Sequence, residues 1–225
     1  MLKETMPEEF GQMITNSVIE GNKTFNRKLR LEKNSEDLDL FKNYMRLRRE
    51  HIDTRLKRDW RKGKIPFDAE IHHKTNGFHE YNEYVCNTAY GETLFIIKSR
   101  PTLLQGIEAD VDHLKNYAKE NTLIVDDSLD LLDELVGPIS KKSSSESQRA
   151  IFIICYDVDS ITNQINYLGL YTLDASVSAV EVQNFSHCID KAYNIDEGGV
   201  IKNDTPPTSP EDYNLALRKQ EKKNE

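Results

Sequence analysis

Long apolar runs are missing from this chain. Nothing approaches the roughly 18 to 20 consecutive apolar residues that cross a bilayer, and the opening Met1-Leu2-Lys3-Glu4-Thr5 carries no secretory apolar segment. These absences predict an intracellular protein, cytoplasmic or nuclear, with no membrane partner. Cysteine is scarce as well. Cys86, Cys155 and Cys188 are odd in number and far apart, without the paired spacing that serves zinc or a redox couple. Buried free thiols are expected. No glycine-rich phosphate cradle, serine nucleophile elbow or Cys/His pair with supporting spacing is present, which disfavours the enzyme classes built on them. Apolar residues make up 37% of the chain and charged ones 30%, below the usual globular apolar share, so exposed segments are expected at the ends.

What is present is charge, unevenly placed. The net charge is −8 over 225 residues, yet residues 21–64 hold 15 Lys/Arg against 7 Asp/Glu. A basic segment on an acidic body can approach nucleic acid, dock on its own acidic domain, or meet an acidic protein partner. Part of the basic run, at Lys57, Arg58, Arg61 and Lys62, also offsets a helix C-terminal dipole.

Pro7 with Glu8 and Glu9 predicts a short helix that ends near Gly21. A longer one is expected from Ser35 to Lys62, closed by Gly63 and Pro66, with Leu38, Phe41, Met45, Ile52, Leu56 and Trp60 on its inner stripe. Arg49 falls within that stripe and is expected to snorkel. Asn76-Gly77 is a hairpin signal that would set His73 opposite Glu80 and His72 opposite Tyr81. Strands then run through Thr88 and from Thr93 to Ser99, completing a three-strand antiparallel meander. One helix from Thr102 to Lys119 should bury Leu104, Ile107, Val111, Leu114 and Ala118. A short strand at Thr122–Val125, a short helix at Ser128–Val136 and a loop at Ser140–Gln148 lead to the apolar strands Ala150–Tyr156 and Tyr167–Leu173. A last helix is predicted over Ser178–Tyr193. The expected class is α/β (α+β), a mixed central sheet with flanking helices and an N-terminal helical segment. The expected division is 1–66 (basic helical segment), 67–200 (α/β core) and 201–225 (flexible polar tail).

His72, His73, His79 and Glu80 form a small cluster, but His72 and His73 point to opposite faces, and the cross-strand neighbours His73 and Glu80 are two ligands, which do not make a zinc site. Asp110 and His113, one helical turn apart, are placed to form an acid–imidazole pair. The strand Thr93–Ser99 ends in Lys98 and feeds an amphipathic helix carrying His113-Leu114-Lys115-Asn116-Tyr117.

The order helix, meander, helix, strand over residues 36–157, with Lys98 and the His113–Tyr117 run, resembles the core of the PD-(D/E)xK nuclease superfamily. In that family an acid on the second strand and an acid-x-lysine triplet on the third are joined by a Q-L-x-x-Y-like run on the next helix. This chain departs at Ile96, where the family has a carboxylate. The resemblance implies catalytic roles for Lys98, His113, Glu83 and Glu92, metal ligation by Asp68 and Glu83, and Mg2+ or Mn2+ as cofactor. Carboxylates would hold the metal, while the lysine would orient water or stabilise developing charge. DNA or RNA is the implied partner, with Arg48, Arg49, Arg55, Arg58 and Lys62 of the basic helix on its phosphates. The expected function is a nucleic-acid-binding protein of nuclease-like fold, a divergent or degenerate metal-dependent phosphodiesterase. The alternative is a non-enzymatic interaction or adaptor protein that uses the basic helix and acidic body.

Overall fold

Two helices come first. The computed structural model describes residues 6–33, 41–76, 79–121 and 149–194. Helix α1 (Glu8–Lys33) begins after Pro7 with two acids in its first turn, where they complement the helix dipole. It does not end near Gly21 as expected. At Gly21 it is crossed by α2 (Phe41–Arg61), so closely that a Cβ there would sit 2.5 Å from the Ile52 Cα. The glycine is a helix–helix contact, which the sequence alone does not distinguish from a stop. Helix α2 ends as predicted: Gly63 adopts φ 64°, its N–H reaches the Trp60 carbonyl at 2.9 Å, and the Lys64 N–H reaches the Asp59 carbonyl at 3.0 Å. That pair of bonds is a Schellman closure. Inside α2, Ile52, Leu56 and Trp60 are buried on the expected stripe.

Among the described residues, six strands form one sheet in sequence order: β1 (Ala69–Asn76), β2 (His79–Thr88), β3 (Gly91–Ser99), β4 (Ala150–Val158), β5 (Ile165–Leu173) and β6 (Ala179–Asn184). Strands β1 to β3 make the antiparallel meander, β3 and β4 run parallel, and β4 to β6 are antiparallel again. The sheet is therefore mixed and the fold α+β. Its register at the hairpin differs from expectation. Asn76 pairs with His79, so His73 lies opposite Asn82 and His72 opposite Glu83. Because the slip is two residues, each side chain keeps its face, and His73 still meets Glu80 diagonally at 3.6 Å.

Two helix predictions are corrected. The segment after β3 is broken into α3 (Arg100–Glu108) and α4 (Asp112–Glu120), with Asp110 at φ 54° between them. The break rotates the inner face: Leu103 is buried in place of Leu104, while Leu114 and Ala118 remain inside. The helix expected over Ser178–Tyr193 is instead β6, a 3-10 turn (Ser186–Cys188) and the single turn α5 (Lys191–Asn194). The open edge of β5 supplies a hydrogen-bonding partner for the alternating Ala179-Val180-Glu181-Val182, and β-branched residues favour it. The segments expected at Ser35–Leu40, Gly77, Thr122–Val125, Ser128–Val136, Ser140–Gln148 and 201–225 lie outside the described residues.

Each face of the sheet has its own core. Helices α1 and α2 cover one with Phe10, Ile14, Val18, Ile52, Leu56 and Trp60 against Tyr84, Phe95, Phe152 and Ile154. Helices α3 and α4 cover the other, where Leu103, Leu114 and Tyr117 meet Leu94, Ile96, Ile151, Ile153 and Cys155. Strand alternation sends odd and even residues of β4 to opposite cores. No described helix is long and apolar enough to cross a membrane.

Candidate functional site

The polar groups of the second face gather where β3 passes into α3. Ser99 caps α3 by accepting from the Thr102 N–H at 3.3 Å, and Pro101 occupies its first turn, so the chain turns sharply after Lys98. Lys98 stands on the same face as Ile96 and beside Cys155 of the parallel neighbour β4. Its Nζ lies 3.2 Å from His113 Nε2 on α4. One turn further along α4, the Tyr117 hydroxyl donates to Glu83 Oε1 at 2.8 Å and meets the Tyr81 hydroxyl at 3.3 Å. The His113 and Tyr117 rings meet edge to face at 6.2 Å. Glu83 is buried, and Lys74 approaches its other oxygen at 3.8 Å. Arg49 reaches the same cleft from α2 and donates to the Glu80 carbonyl at 2.5 Å.

The electrostatics follow from this crowding of cations. Burial, then the neighbouring Arg49 charge, brings the Lys98 ammonium down to about 8. Burial, then Lys98 and Arg49, brings His113 down to about 4. His113 is therefore neutral at pH 7, and its Nε2 is the acceptor for the lysine. Burial, then the Tyr81 and Glu83 contacts, holds the Tyr117 hydroxyl protonated. Cys155 is pushed up to about 12 by burial, so it remains a thiol beside Lys98. The cleft lined by Arg49, Tyr81, Ile96, Ile97, Lys98, His113 and Tyr117 has free space for about one water. It suits contact with the edge of an anionic group more than enclosure of a small molecule. A larger hollow beside α4, lined by Lys115, Ala118, Lys119, Asn121, Leu173, Ala175 and Val177, contains neither acid nor imidazole.

Of the residues singled out in the sequence, Lys98, His113 and Glu83 come together around Tyr117. Glu92 does not. It pairs with Asn87 at the start of β3, exposed, six residues and about 20 Å along the strand from Lys98. Asp68 is exposed just before β1, four residues short of the position opposite Glu83, or about 13 Å. It cannot share an ion with Glu83. Asp110 pairs with Lys115 at 2.6 Å, not with His113, because the helix breaks between them.

The basic helix is also divided. Arg48 is buried, donating to Asn163 Oδ1 at 2.7 Å and lying over the Phe25 ring at 4.9 Å, so it serves the β4–β5 turn and is inaccessible to phosphate. Arg55 is engaged by Asp59 at 2.5 Å and Glu20 at 3.4 Å. Arg58 and Lys62 are exposed. Sequence reasoning did not single out Asp53, which accepts from Tyr84 and from both the backbone and side chain of Asn82. It also passed over the His187-Cys188 pair, whose adjacency was a visible signal although its partner, Glu8, is far away in sequence. Comparison with protein-family models, with curated proteins and with solved structures yields no match.

Proposed function

We propose that this is a nucleic-acid-binding protein of nuclease-like fold whose degenerate site holds a phosphate backbone without hydrolysing it. The observation that carries this reading is the meeting of Arg49, Lys98 and His113 in one cleft whose nearby carboxylate, Glu83, is already engaged by Tyr117 and Lys74. The meander followed by a helical crossover to a parallel strand supports it. Glu83 on the second strand, Lys98 on the third and His113 with Tyr117 on the second of the two helices after it follow the order of the PD-(D/E)xK acid, lysine and helix run, which supports the reading. Among the described residues, the acids named for hydrolysis do not gather around Lys98. Ile96 offers no ligand, Asp68 and Glu92 are remote, and a divalent ion would have Glu83 alone among these acids. A lysine and an arginine without a metal can attract phosphate but supply no activated water.

The test is binding of single- and double-stranded DNA and RNA, followed by fluorescence anisotropy over a range of salt, with cleavage assayed in Mg2+ and Mn2+. Affinity should fall steeply with salt, and the Arg49→Ala, Lys98→Ala double variant should lower the slope of log K against log salt by about 2. No cleavage is expected. Absence of binding at low salt refutes the proposal, and metal-dependent cleavage lost in Lys98→Ala would establish a divergent nuclease instead. The inward commitment of Arg48 and Arg55 favours a second reading, an adaptor that binds protein, because it removes two charges from the basic arm.

A further inference from the structure

Far from the cleft, the first turn of α1 meets the 3-10 turn after β6. Glu8 Oε1 lies 2.6 Å from His187 Nε2 and 3.3 Å from Cys188 Sγ, and the sulfur and nitrogen are 3.5 Å apart. Three ligand atoms of three chemical kinds thus converge from positions about 180 residues apart in the chain. Tetrahedral coordination with a metal–sulfur distance of about 2.3 Å and a metal–nitrogen distance of about 2.0 Å separates sulfur and nitrogen by about 3.5 Å. The observed S···N spacing already meets that requirement. The Glu8–His187 contact must open by roughly 0.7 Å and the Glu8–Cys188 contact by roughly 0.2 Å to reach the edges of such a tetrahedron.

The two segments are held together independently of these three side chains. Gly11 has no Cβ, and one there would lie 2.3 Å from the Phe185 ring, so the ring rests directly on α1. Gln12, one turn below Glu8, donates to the Cys188 carbonyl at 3.3 Å and to Asn16 at 3.1 Å. The ligand backbone is therefore positioned by packing and by a hydrogen bond that the metal need not disturb. Cys188 is buried, whereas the His187 and Glu8 side chains are 59% and 67% exposed, which leaves an approach for the ion and for water.

We propose that Glu8, His187 and Cys188 form a Zn2+ site with three protein ligands and water in the fourth position. Thiolate with imidazole and carboxylate selects zinc over Mg2+ or Ca2+, which prefer all-oxygen shells. Binding would convert the thiol to a zinc thiolate and release its proton to solvent. The ion would tie the start of α1 to the segment after β6 and stabilise the folded chain.

Metal-free full-length protein is titrated with Co2+ and read by absorption, then back-titrated with Zn2+. A thiolate-to-cobalt charge-transfer band and intense tetrahedral d–d bands are expected at one equivalent, both displaced by Zn2+. Cys188→Ser should abolish the charge-transfer band, and His187→Gln or Glu8→Gln should weaken Co2+ binding by about 10-fold or more. Proton release on zinc addition should fall by about one in Cys188→Ser. Each variant is referenced to its own metal-free melting temperature, so a general loss of stability does not mimic loss of the site. No charge-transfer band, or one that survives in Cys188→Ser, overturns the proposal. So does a zinc-induced rise in melting temperature that is unchanged in all three variants.

Discussion

The two faces of the sheet carry polar groups of opposite character. Under α1 and α2, the buried Asp53 accepts from Asn82 and Tyr84, and the Tyr84 ring stacks on Trp60 with centroids 4.7 Å apart. At the edge covered by α3 and α4, the half-buried Lys98, joined by the half-buried Arg49 from α2, crowds a neutral imidazole, and the Arg49 charge adds to burial in lowering both Lys98 and His113. Helix length accounts for part of the contrast. Helices of 26 and 21 residues cover the first face, and helices of nine residues each cover the second. A closed, mutually satisfied network stabilises a core, whereas like charges crowded at a half-covered edge cost stability until an anion arrives. Of these two clusters, the one around Lys98 is the less satisfied.

The sharpest way to break this contrast is to insert the same methyl group beneath each helix pair. Gly21→Ala drives a Cβ to 2.5 Å from the Ile52 Cα, a backbone atom that cannot rotate away. The helices must separate, and a loss of about 1–3 kcal/mol is expected despite the better helix propensity of alanine. In Gly106→Ala the nearest atoms are the Leu114 Cδ1 at 3.1 Å and the Val111 Cγ2 at 3.3 Å, both on rotatable side chains. The propensity gain of about 1 kcal/mol should offset most of that crowding. Urea denaturation of both variants checks the ranking, and a Gly21→Ala protein as stable as wild type would mean the helix crossing is loose.

A smaller difference is expected when one hydroxyl is removed on each side. Tyr84→Phe takes a donor from Asp53 in the fully buried network and should cost about 2 kcal/mol. Tyr117→Phe takes the donor from Glu83, but Lys74 remains 3.8 Å away on the other carboxylate oxygen, and the loss should be nearer 1 kcal/mol. Comparing midpoints at unchanged slope isolates the stability term. Equal losses would show that the second network is as closed as the first.

The sequence makes the sheet more legible than its surroundings for a physical reason. Ala150–Tyr156 and Thr93–Ser99 are apolar, β-branched runs whose burial needs no distant information, and Lys98 could be read as a strand-end lysine from that pattern, whereas His113 is joined to it only by the PD-(D/E)xK resemblance. Gly21 and Asp110 could not. A glycine in a helix reads as a stop unless the crossing helix is known, and Ala109-Asp110-Val111 contains no glycine or proline to announce a break. The region 179–184 became a strand because β5 offered an edge, a tertiary override of local pattern. Arg48 was read as a phosphate contact because its partner, the buried Asn163, lies 115 residues away. The same distance problem hid Glu8 from His187 and Cys188.

The most delicate comparison concerns Lys98 itself, whose amine should titrate apart from the other lysines. Burial first and the Arg49 charge second lower it from the ordinary 10.5 to about 8. Between those values the unfolded chain binds a proton that the folded chain does not, so this residue's contribution to stability rises with pH across the window from about 8 to 10.5. Below about 8 the charged amine is held in the fold at a cost. Trace acylation with peptide mass spectrometry, run over pH 7 to 11, should give Lys98 a reactivity midpoint near 8, with exposed lysines near about 10.4. Arg49→Ala should raise that midpoint by removing one cause while leaving burial in place. A bound phosphate backbone should raise it too, because an anion favours the ammonium. A midpoint for Lys98 that coincides with the exposed lysines would show that the amine is solvated, and would remove the electrostatic contrast between the two faces on which the binding proposal rests.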